Sequence, residues 1–540
     1  MPQLSNLTIT GSLIAGYVVT VTTNVAMGTA YLVAVPAGEQ APSKVQIAAG
    51  QNYQGNAAVA QQTTVESTNI TFPAITGLSS NTSYDVHCIH DASPVISGLI
   101  EGMDSTPMPS GIPRPAKGTV FTDPTYGTEI HRITDHVNDL TGTLPAWVRS
   151  EYSRWNPLNA DESMFMFLAT DGWIHIYDAN TYQWIRKFTP TGEQTETLWH
   201  KTDPNLIYRL PPNGGLVMYT HNVLTDELIT IADFANVAAI EGDPLLTDIR
   251  QVPGFENAAR CRTKAEGRPS MDGRYWAFMV DAADFSGLGL MVYDLVANEI
   301  TGTYVFATDG GGIGQPDHCS MSPSGEYIVA SWYYPQDCST RTGFQFYEPG
   351  GRGGLNNPCG AYAFSRDFTV GIALSEIGEH SDMVIDAAGY DWFVFIDFQQ
   401  HSVQYDDNMV RSVRITPDAQ GNQIYHNLVN FKSTVNGTAM HFSGASFNKP
   451  GWVLMSDYGS SAGWYNNSMW AMQVDVPNPA VYKLAHTQWA PGLGYFGEPH
   501  AAVNQDFSRI IWNTTWRSDQ ITDLEVFEIK INPADLVGNL

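Results

Sequence analysis

A chain of 540 residues is too long for one ordinary compact core, so two or more domains are expected. Charged residues make up only 15% of the chain, below the ~25% of typical soluble domains, and this composition is typical of extracellular or virion-borne β proteins. The formal net charge of −28 disfavours nucleic acid and anionic membranes as partners. No apolar run reaches the roughly 18 residues of a transmembrane helix, so membrane insertion is not expected.

The first residues predict a strand rather than a targeting signal. The segment MPQLSNLTITGSLIAGYVVT has no basic start and no small-residue cleavage site, and Thr, Ser and Gly interrupt its apolar positions. The composition predicts an extracellular, cell-surface or virion location. Cytosolic residence, export by another route and assembly into a phage particle all stay open.

Residues 1–105 predict a β-sandwich. Short alternating stretches such as YVVTVTT and AYLVAVP are separated by Gly, Asn, Ser and Pro, which indicates about seven strands. The phrase ITFPAITGLSSNTSYDVHCIHDAS resembles the E–F region of fibronectin type III-like domains, in which a Leu precedes a turn and Thr-x-Tyr opens the next strand. Leu78, Thr82 and Tyr84 match that pattern. The resemblance implies an immunoglobulin-like or fibronectin III-like sandwich in which Tyr84 forms a corner hydrogen bond, and it implies no specific activity.

Residues 106–118 predict a linker. Four prolines fall within this short segment, and proline at that density disfavours the interiors of helices and strands and gives a semi-stiff spacer. These prolines are Pro107, Pro109, Pro113 and Pro115. The segment is therefore expected to separate the sandwich from a second domain.

Residues 119–540 predict a seven-bladed β-propeller. Successive units of roughly 60 residues each run from a short apolar stretch through a turn to an aromatic and β-branched strand, and a fixed period of this kind is typical of propeller blades. The strand-like segment 121–135 precedes the first unit. We expect it to pair within the last blade and close the ring, which leaves no exposed edge.

The turns SPSGEY and SMDGRY, each followed by a hydrophobic strand, resemble those of the TolB-like and WD40-like propeller superfamily. The phrases EHSDMVIDA, AMHFSGASFNKPGWVL and EPHAAVNQDFSRIIW also resemble, more distantly, the seven-bladed oligogalacturonate lyase and ulvan lyase propellers. In those lyases, histidines at the mouth of the channel bind a divalent metal ion or act as the base. The resemblance implies the fold more strongly than the activity, because propellers host many unrelated functions.

Four histidines lead the last four units at nearly constant intervals. His318, His380, His441 and His500 are separated by 62, 61 and 59 residues, so in a closed ring they occupy equivalent positions of successive blades and point at one axis. Neutral imidazoles there could hold one divalent ion (Zn, Mn, Fe, Ni or Ca, which the sequence does not distinguish). Because consecutive blades lie on one side of a ring, two or three histidine ligands are expected rather than four. The acidic candidates for the same ion are Glu379, Asp382 and Glu498. The alternative is that each histidine only hydrogen-bonds the neighbouring blade.

A basic set lies near the starts of the first three units and is expected to face the histidines across the opening. Its members are Arg154, His200, Arg260, Arg262, Lys264 and Arg268. Arginine binds a carboxylate through two parallel hydrogen bonds, so this set predicts a site for a carboxylated or sulfated sugar. In a β-elimination a cation neutralises the uronate carboxylate and a base takes the adjacent proton. The candidates for catalytic roles are His200, Arg262 and Arg268. The alternative role for the arginines is to form salt bridges between blades.

Aromatic residues in loop-like stretches predict a glycan platform, because the faces of Trp and Tyr stack on sugar rings. The glycan-binding candidates are Arg154, Trp155, Arg260 and Tyr495. The alternative is that these aromatic side chains belong to the core.

Two function classes follow from these patterns. In the first, the protein is a surface or phage-virion module of a tail or appendage: its propeller binds a polysaccharide or surface glycan, and its sandwich mediates attachment or assembly as a homo-oligomer or part of a larger assembly. In the second, it is a metal-dependent polysaccharide lyase that acts by β-elimination on a uronate-containing polysaccharide. The low charge content, the absence of a signal segment and the fibronectin-like domain favour the first class, and we prefer it on these grounds. The histidine spacing and the basic set opposite favour the second class, which is the alternative.

Overall fold

Antiparallel sheets make up both compact units of the protein. The computed structural model describes residues 4–539 except 13–15, 24–28, 43–45, 48–49, 55, 65–68, 73, 77, 80–81, 92–98, 105–107, 109–110, 141–145, 191–195, 333–357, 376–379, 398–408, 432–438 and 460–462. The chain divides into a first unit, Met1–Gly98, and a second unit, Leu99–Leu540. The all-β class expected from the sequence is confirmed.

The first unit is a sandwich of two three-stranded antiparallel sheets. Its strands are β1 (Leu4–Ser12), β2 (Gly16–Thr23), β3 (Thr29–Pro36), β4 (Val59–Thr64), β5 (Asn69–Thr71) and β6 (Tyr84–Asp91). One sheet has the order β1-β2-β5 and the other the order β4-β3-β6. Val19, Leu32 and Phe72 share one buried cluster, because alternate residues of each strand face the opposite sheet. The hydroxyl of Tyr84 accepts a hydrogen bond of 3.1 Å from the backbone N–H of Ser79, which is a corner contact of the kind expected for this tyrosine.

The second unit begins with elements that join later sheets. They are β7 (Ile100–Glu101), β8 (Val120–Thr122), β9 (Glu129–Arg132) and a short helix, α1 (His136–Asp139). Four short 3-10 helices also occur among the described residues, at Ile249–Gln251, Tyr495–Gly497, Ile521–Asp523 and Pro533–Asp535. No helix in the described part of the chain has the length and apolar character needed to cross a membrane.

Seven sheets, here called blades 1–7, follow one another along the described part of the second unit, and they are antiparallel except for one short parallel pair of strands in blade 3. Blade 1 contains β10 (Val148–Arg149), β11 (Met164–Ala169), β12 (Trp173–Asp178) and β13 (Trp184–Pro190). Blade 2 contains β14 (Thr197–Trp199), β15 (Leu206–Arg209), β16 (Val217–Asn222) and β17 (Leu228–Asp233). Blade 3 contains β18 (Ala239–Ile240), β19 (Ala258–Arg262), β20 (Tyr275–Ala282), β21 (Gly287–Asp294) and β22 (Glu299–Val305).

The remaining blades carry the periodic histidines. Blade 4 contains β23 (His318–Met321), β24 (Tyr327–Ser331), β25 (Ala361–Ser365) and β26 (Gly371–Ser375). Blade 5 contains β27 (Ser381–Ile385), β28 (Asp391–Asp397), β29 (Met409–Arg414) and β30 (Ile424–Asn430). Blade 6 contains β31 (Met440–Ser443), β32 (Trp452–Asp457), β33 (Ser468–Gln473) and β34 (Val481–His486), and blade 7 contains β35 (Ala502–Val503), β36 (Arg509–Thr514) and β37 (Glu525–Lys530).

Each pair of neighbouring blades shares one hydrophobic core. Successive buried clusters join blades 1 and 2, 2 and 3, 3 and 4, 4 and 5, 5 and 6, and 6 and 7. A further cluster joins Val148 and Phe165 of blade 1 to Ile511 and Val526 of blade 7. Because the last blade packs on the first, the sheets form a closed ring, which is the arrangement of a β-propeller.

The ring is closed by a strand from the start of the unit. β9 pairs antiparallel with β37, with Ile130 opposite Ile529, and β8 pairs with β9 at the edge of blade 7. The pairing predicted for residues 121–135 is therefore confirmed. It joins the two ends of the second unit through backbone hydrogen bonds, so that no long edge of blade 7 stays open.

The second unit starts before the proline-rich segment. β7 pairs with β34 of blade 6, so the division between the units falls at Gly98 rather than at the predicted residue 105. Within the predicted linker 106–118, Ile112 packs on the core shared by blades 6 and 7, and its carbonyl accepts a hydrogen bond of 3.2 Å from the Trp516 indole. This part of the segment lies along the second unit rather than acting as a spacer.

Candidate functional site

The four periodic histidines lie where the first strands of blades 4–7 begin. His318 is the first residue of β23, and His441 is the second residue of β31. His380 directly precedes β27, and His500 lies two residues before β35. In a propeller the first strands of the blades line the central channel and run in one direction. The regular spacing therefore places all four histidines near one mouth of the channel.

Three of the imidazole rings are in direct contact. The ring centroids of His380 and His441 are 5.0 Å apart, and those of His441 and His500 are 4.4 Å apart. Tyr458 stacks on His441 at 4.5 Å, and its hydroxyl lies 2.8 Å from Nε2 of His380. This hydrogen bond engages one nitrogen of His380.

Glu498 reaches both of these rings. Its Oε2 lies 2.8 Å from Nε2 of His441 and 3.4 Å from Nε2 of His500. Nδ1 of His441 and both ring nitrogens of His500 are buried and have no hydrogen-bond partner among the described residues. One ligand atom from each of these three side chains lies within 4.8 Å of the others. Two imidazoles with a carboxylate form a donor set that suits Zn, Mn, Fe or Ni better than Ca, which prefers oxygen ligands.

Burial keeps this imidazole cluster neutral. It lowers the pKa of His380 to about 4 and that of His500 to about 3, and it holds the pKa of His441 well below its ordinary value. The positive charge of Arg154 acts in the same direction on His380 and His441. Only a neutral imidazole has a lone pair for a metal ion, so the cluster is ready to coordinate at neutral pH.

Arg154 and His318 form a second group in the channel. Nη1 of Arg154 lies 2.6 Å from Nε2 of His318 and 3.2 Å from Oε2 of Glu266. Because a guanidinium only donates hydrogen bonds, Nε2 of His318 accepts and the ring proton lies on Nδ1. That Nδ1 is 3.3 Å from Oδ2 of Asp317 and 3.5 Å from Oε2 of Glu266. His318 is thus a carboxylate-oriented imidazole whose lone pair points at Arg154, and it lies apart from the His441 cluster.

Tyr152 adjoins both groups. Its ring centroid is 5.4 Å from that of His441 and 5.3 Å from that of His500, and the guanidinium carbon of Arg154 lies 5.5 Å from it. The half-exposed ring of Tyr495 stacks on it at 6.4 Å. Burial raises the pKa of both phenols, so both hydroxyls stay protonated and can donate hydrogen bonds.

Two of the predicted basic residues stabilise blade 3 instead of facing the histidines. Nε of Arg262 lies 2.5 Å from Oδ2 of Asp281 on the neighbouring strand. Arg260 donates to the backbone carbonyls of Asn213 and Ala283 at 3.2 and 3.3 Å. The hydrogen bonds of both side chains are made to these local partners and not to the imidazole cluster. The catalytic role expected for Arg262 and the glycan contact expected for Arg260 are therefore not supported by their positions.

Arg268 and Asp382 form a buried ion pair between blades 3 and 5. Nη2 of Arg268 lies 2.9 Å from Oδ1 of Asp382, and Oδ2 of Asp382 accepts a hydrogen bond of 2.6 Å from the Gly444 backbone. This contact corresponds to the inter-blade salt bridge weighed as the alternative, so Asp382 does not join the imidazoles. His200 lies beyond the end of β14, and its Nδ1 accepts a hydrogen bond of 3.0 Å from the backbone of Asp203.

The predicted glycan platform is only partly exposed. Trp155 is buried, with 4% of its surface accessible, and its indole donates to the Gly267 carbonyl at 3.0 Å, so it belongs to the core. Tyr495 is 47% exposed and lies next to Phe496, which is 48% exposed. Glu379, the other predicted acidic ligand, lies outside the described residues.

Tyr152 and Glu266 have no counterpart in the sequence prediction. Neither belongs to the histidine period, and both reach the channel through irregular backbone. Glu266 follows Lys264 and Ala265, which have positive φ values of 63° and 59°. A turn of this kind reverses side-chain direction in a way that strand alternation does not predict.

Comparisons with known proteins give similarity at the level of solved structures. No protein-family model and no curated protein matches the chain. A structure of oligogalacturonate lyase in complex with manganese is similar at a TM-score of 0.47 and 11% identity, over 77% of this chain and 96% of that chain. Oligogalacturonate lyase from Vibrio parahaemolyticus has the same TM-score, 0.47, and 11% identity, over 78% of this chain and 100% of its own. Hydrazine synthase from Kuenenia stuttgartiensis has a TM-score of 0.39 and 12% identity, over 74% and 99%. The functional argument therefore comes from the site itself.

Proposed function

We propose that the protein is a metal-dependent lyase that cleaves a uronate-containing oligo- or polysaccharide by β-elimination. One observation carries the proposal: a donor set suited to a divalent cation and the buried pair of Arg154 and His318 both adjoin Tyr152. A uronate presents a carboxylate next to an acidic C–H bond. Elimination needs a positive charge beside the carboxylate and a base beside the C–H bond. The donor set for the cation and the pair of Arg154 and His318 would supply both, next to each other.

The donor set would be His441, His500 and Glu498, with His380 in ring contact beside them. The orphaned nitrogens of His441 and His500 are the observation that fits a cation there, because buried polar atoms are rarely left without a partner. A divalent ion bound to these residues would neutralise the uronate carboxylate and acidify the neighbouring C–H bond. The side chain of Glu498 is 16% exposed, so the cluster is open to the channel on that side.

Arg154 is the residue that binds and orients the substrate carboxylate. Its Nε donates to the Ser381 carbonyl at 2.8 Å, which fixes the guanidinium, and its Nη1 points at His318. A guanidinium fork matches the two oxygens of a carboxylate. When the substrate carboxylate accepts the N–H groups of Nη1, Nε2 of His318 loses its donor and its lone pair becomes available.

His318 is then the base. The C–H bond next to the carboxylate breaks and its proton moves to Nε2, while its electron pair forms the new carbon–carbon double bond and the bond to the glycosidic oxygen breaks. The glycosidic oxygen leaves with that bonding pair and takes a proton from the hydroxyl of Tyr152 or Tyr495; solvent returns the proton of His318 to the tyrosine. Asp317 and Glu266 stabilise the imidazolium that forms, as carboxylates beside Nδ1 do in other proton-transfer sites.

Product analysis in water labelled with heavy oxygen tests this reaction class. The manganese-loaded protein should convert pectate, alginate or ulvan oligosaccharides to unsaturated uronates that carry no solvent oxygen, because elimination adds no water. The matched control is the same oligosaccharide with its carboxylates reduced to alcohols, which should stay intact. Saturated products that carry solvent oxygen would show hydrolysis instead, and no cleavage of any uronate with Mn, Fe, Ni or Zn would overturn the proposal.

Glycan binding without cleavage is the second candidate, favoured by the exposed pair Tyr495 and Phe496 at the site. In this alternative the second unit holds a polysaccharide on a surface or virion, and the first unit mediates attachment or assembly. Retention of intact oligosaccharide on the protein, with no unsaturated product and a higher-order assembly in light scattering, would favour it. A monomer that turns over uronates would exclude it.

A further inference from the structure

A small cavity lies at the opposite ends of the channel-lining strands from the histidines. It has a volume of about 40 Å³ and is lined by residues that follow the first strands of several blades. His200 and Lys201 follow β14, Phe447 follows β31, and Gln505 follows β35. Because these strands run in one direction, the cavity lies toward their other ends from His441 and His500, and Arg154, which contacts His318, forms part of its wall.

The cavity is lined by positive charge without negative charge. Lys201, Arg154 and Arg268 all contribute to its wall, and no Asp or Glu does among the described residues. This is unusual in a chain with a net charge of −28, in which carboxylates outnumber basic side chains by about two to one. The arrangement is that of an anion-binding site.

Two of these cations share one aromatic ring. Nζ of Lys201 lies 5.6 Å from the ring centroid of Phe447, and the guanidinium carbon of Arg268 lies 5.3 Å from it. Asp382 balances the charge of Arg268, but no ion pair with a carboxylate joins Lys201 in the described part of the chain. Asp272 acts on Lys201 electrostatically without pairing with it, so Lys201 is the cation of this wall that has no direct carboxylate partner among the described residues.

Two further observations indicate that this wall binds a ligand. Arg268 is 4% exposed, and its Nε has no hydrogen-bond partner among the described residues, although buried guanidinium N–H groups are normally satisfied. Burial, together with the charge of Arg268, lowers the pKa of Lys201 to about 8, which reflects the cost of keeping an ammonium there. An anion between the two side chains would offset both costs.

We propose that this cavity binds a compact anion, either a halide or the carboxylate of a small acid, between Lys201 and Arg268. A water needs roughly 10–15 Å³ of such space, so the cavity has room for an anion of a few heavy atoms. The anion tightens the contact between blades 2, 3 and 6, whose residues form the wall. This inference is independent of the lyase activity proposed for the other mouth of the channel.

Thermal unfolding of the full chain at constant ionic strength tests the site. Chloride, or acetate in a parallel series, replaces a bulky organic sulfonate that is too large for the cavity. The unfolding temperature of the wild type should rise and saturate with one of the two anions, and the anion that acts identifies the source. Lys201→Met should lose the saturable rise. The matched control is Lys449→Met, because Lys449 is also half-buried and lies over an aromatic ring, that of Trp452 at 5.8 Å, outside the cavity.

A measurement on the wild type covers the case in which Lys201→Met does not fold. Crystals soaked in sodium bromide should show an anomalous difference peak between the side chains of Lys201 and Arg268. No peak at that position, or the same anion response in Lys201→Met and Lys449→Met as in the wild type, would overturn the proposal.

Discussion

His500 shows at the scale of one residue how backbone, burial and chemistry combine. Its φ of 42° lies in the left-handed region, which costs a non-glycine residue about 1–3 kcal/mol. Its ring is fully buried, and neither nitrogen has a hydrogen-bond partner among the described residues. A residue held in this way is typical of a functional site, and the proposed coordination to a cation would give the ring nitrogens a partner.

Substitutions of Glu498 and of Glu266 test directly which of the two carboxylates binds the cation. Glu498→Gln should lower the affinity for manganese about 10- to 100-fold, since it weakens a charged donor that reaches His441 and His500. Glu266→Gln should leave the affinity unchanged, because Arg154 already supplies the positive charge beside Glu266. Calorimetric titration of metal-free protein measures both. A loss in Glu266→Gln alone would place the ion beside His318.

A substitution of Arg154 tests whether substrate binding needs its planar geometry as well as its positive charge. Arg154→Lys keeps the positive charge but loses the planar fork, so kcat/KM for a uronate oligosaccharide should fall about 10- to 100-fold. The matched control is Arg262→Lys, which changes another buried arginine whose ion pair lies within blade 3. It should lower stability and leave kcat/KM of the folded protein unchanged. Equal losses of kcat/KM in the two variants would argue against a substrate contact for Arg154.

Sequence spacing predicted the histidines but not their partners. A fixed period determines which strand position a residue occupies, and His441 and His500 meet because that position faces the channel in successive blades. Spacing does not determine side-chain direction on irregular backbone. Tyr152 and Glu266 were therefore not identifiable, and Trp155, predicted as a glycan platform, packs in the core. Glu498 was one of three acidic candidates for the same ion, and it reaches both imidazoles.

At the scale of elements, β9 is the strand that closes the ring. β9 comes from the start of the second unit and completes blade 7, so its buried face contributes to the core between blades 6 and 7. The strand-like character of residues 121–135 was readable in the sequence, as was the need to cover the edge of the last blade. The proline-rich segment was less readable, because proline content predicts an extended backbone and does not indicate what that backbone packs against.

Ile130 at the centre of β9 provides the test of this closure. It is fully buried opposite Ile529, so Ile130→Ala should lower the free energy of unfolding of the second unit by about 2–5 kcal/mol. Val120→Ala is the control, since Val120 lies in the adjacent strand β8 and is 52% exposed; it should change stability by less than about 0.5 kcal/mol. Denaturant unfolding followed by tryptophan fluorescence measures both. Similar small effects would mean that β9 is dispensable for the ring.

At the scale of the whole molecule, the positive side chains at the channel contrast with the net negative charge of the chain. The chain carries a net charge of −28, yet three cationic side chains, Arg154, Lys201 and Arg268, line one cavity of the second unit. A negative surface repels an acidic polymer at long range, so we expect the channel to accept short uronate chains more readily than long ones at low ionic strength. The composition indicated that the chain as a whole repels an acidic polymer. Only the fold shows where cationic side chains gather and could attract one.

Anomalous diffraction from crystals of the manganese-loaded protein tests the central claim most directly. The account predicts a single strong peak between the ring nitrogens of His441 and His500 and the carboxylate of Glu498. No peak in the channel, or a peak only among Glu266, Asp317 and His318, would contradict it.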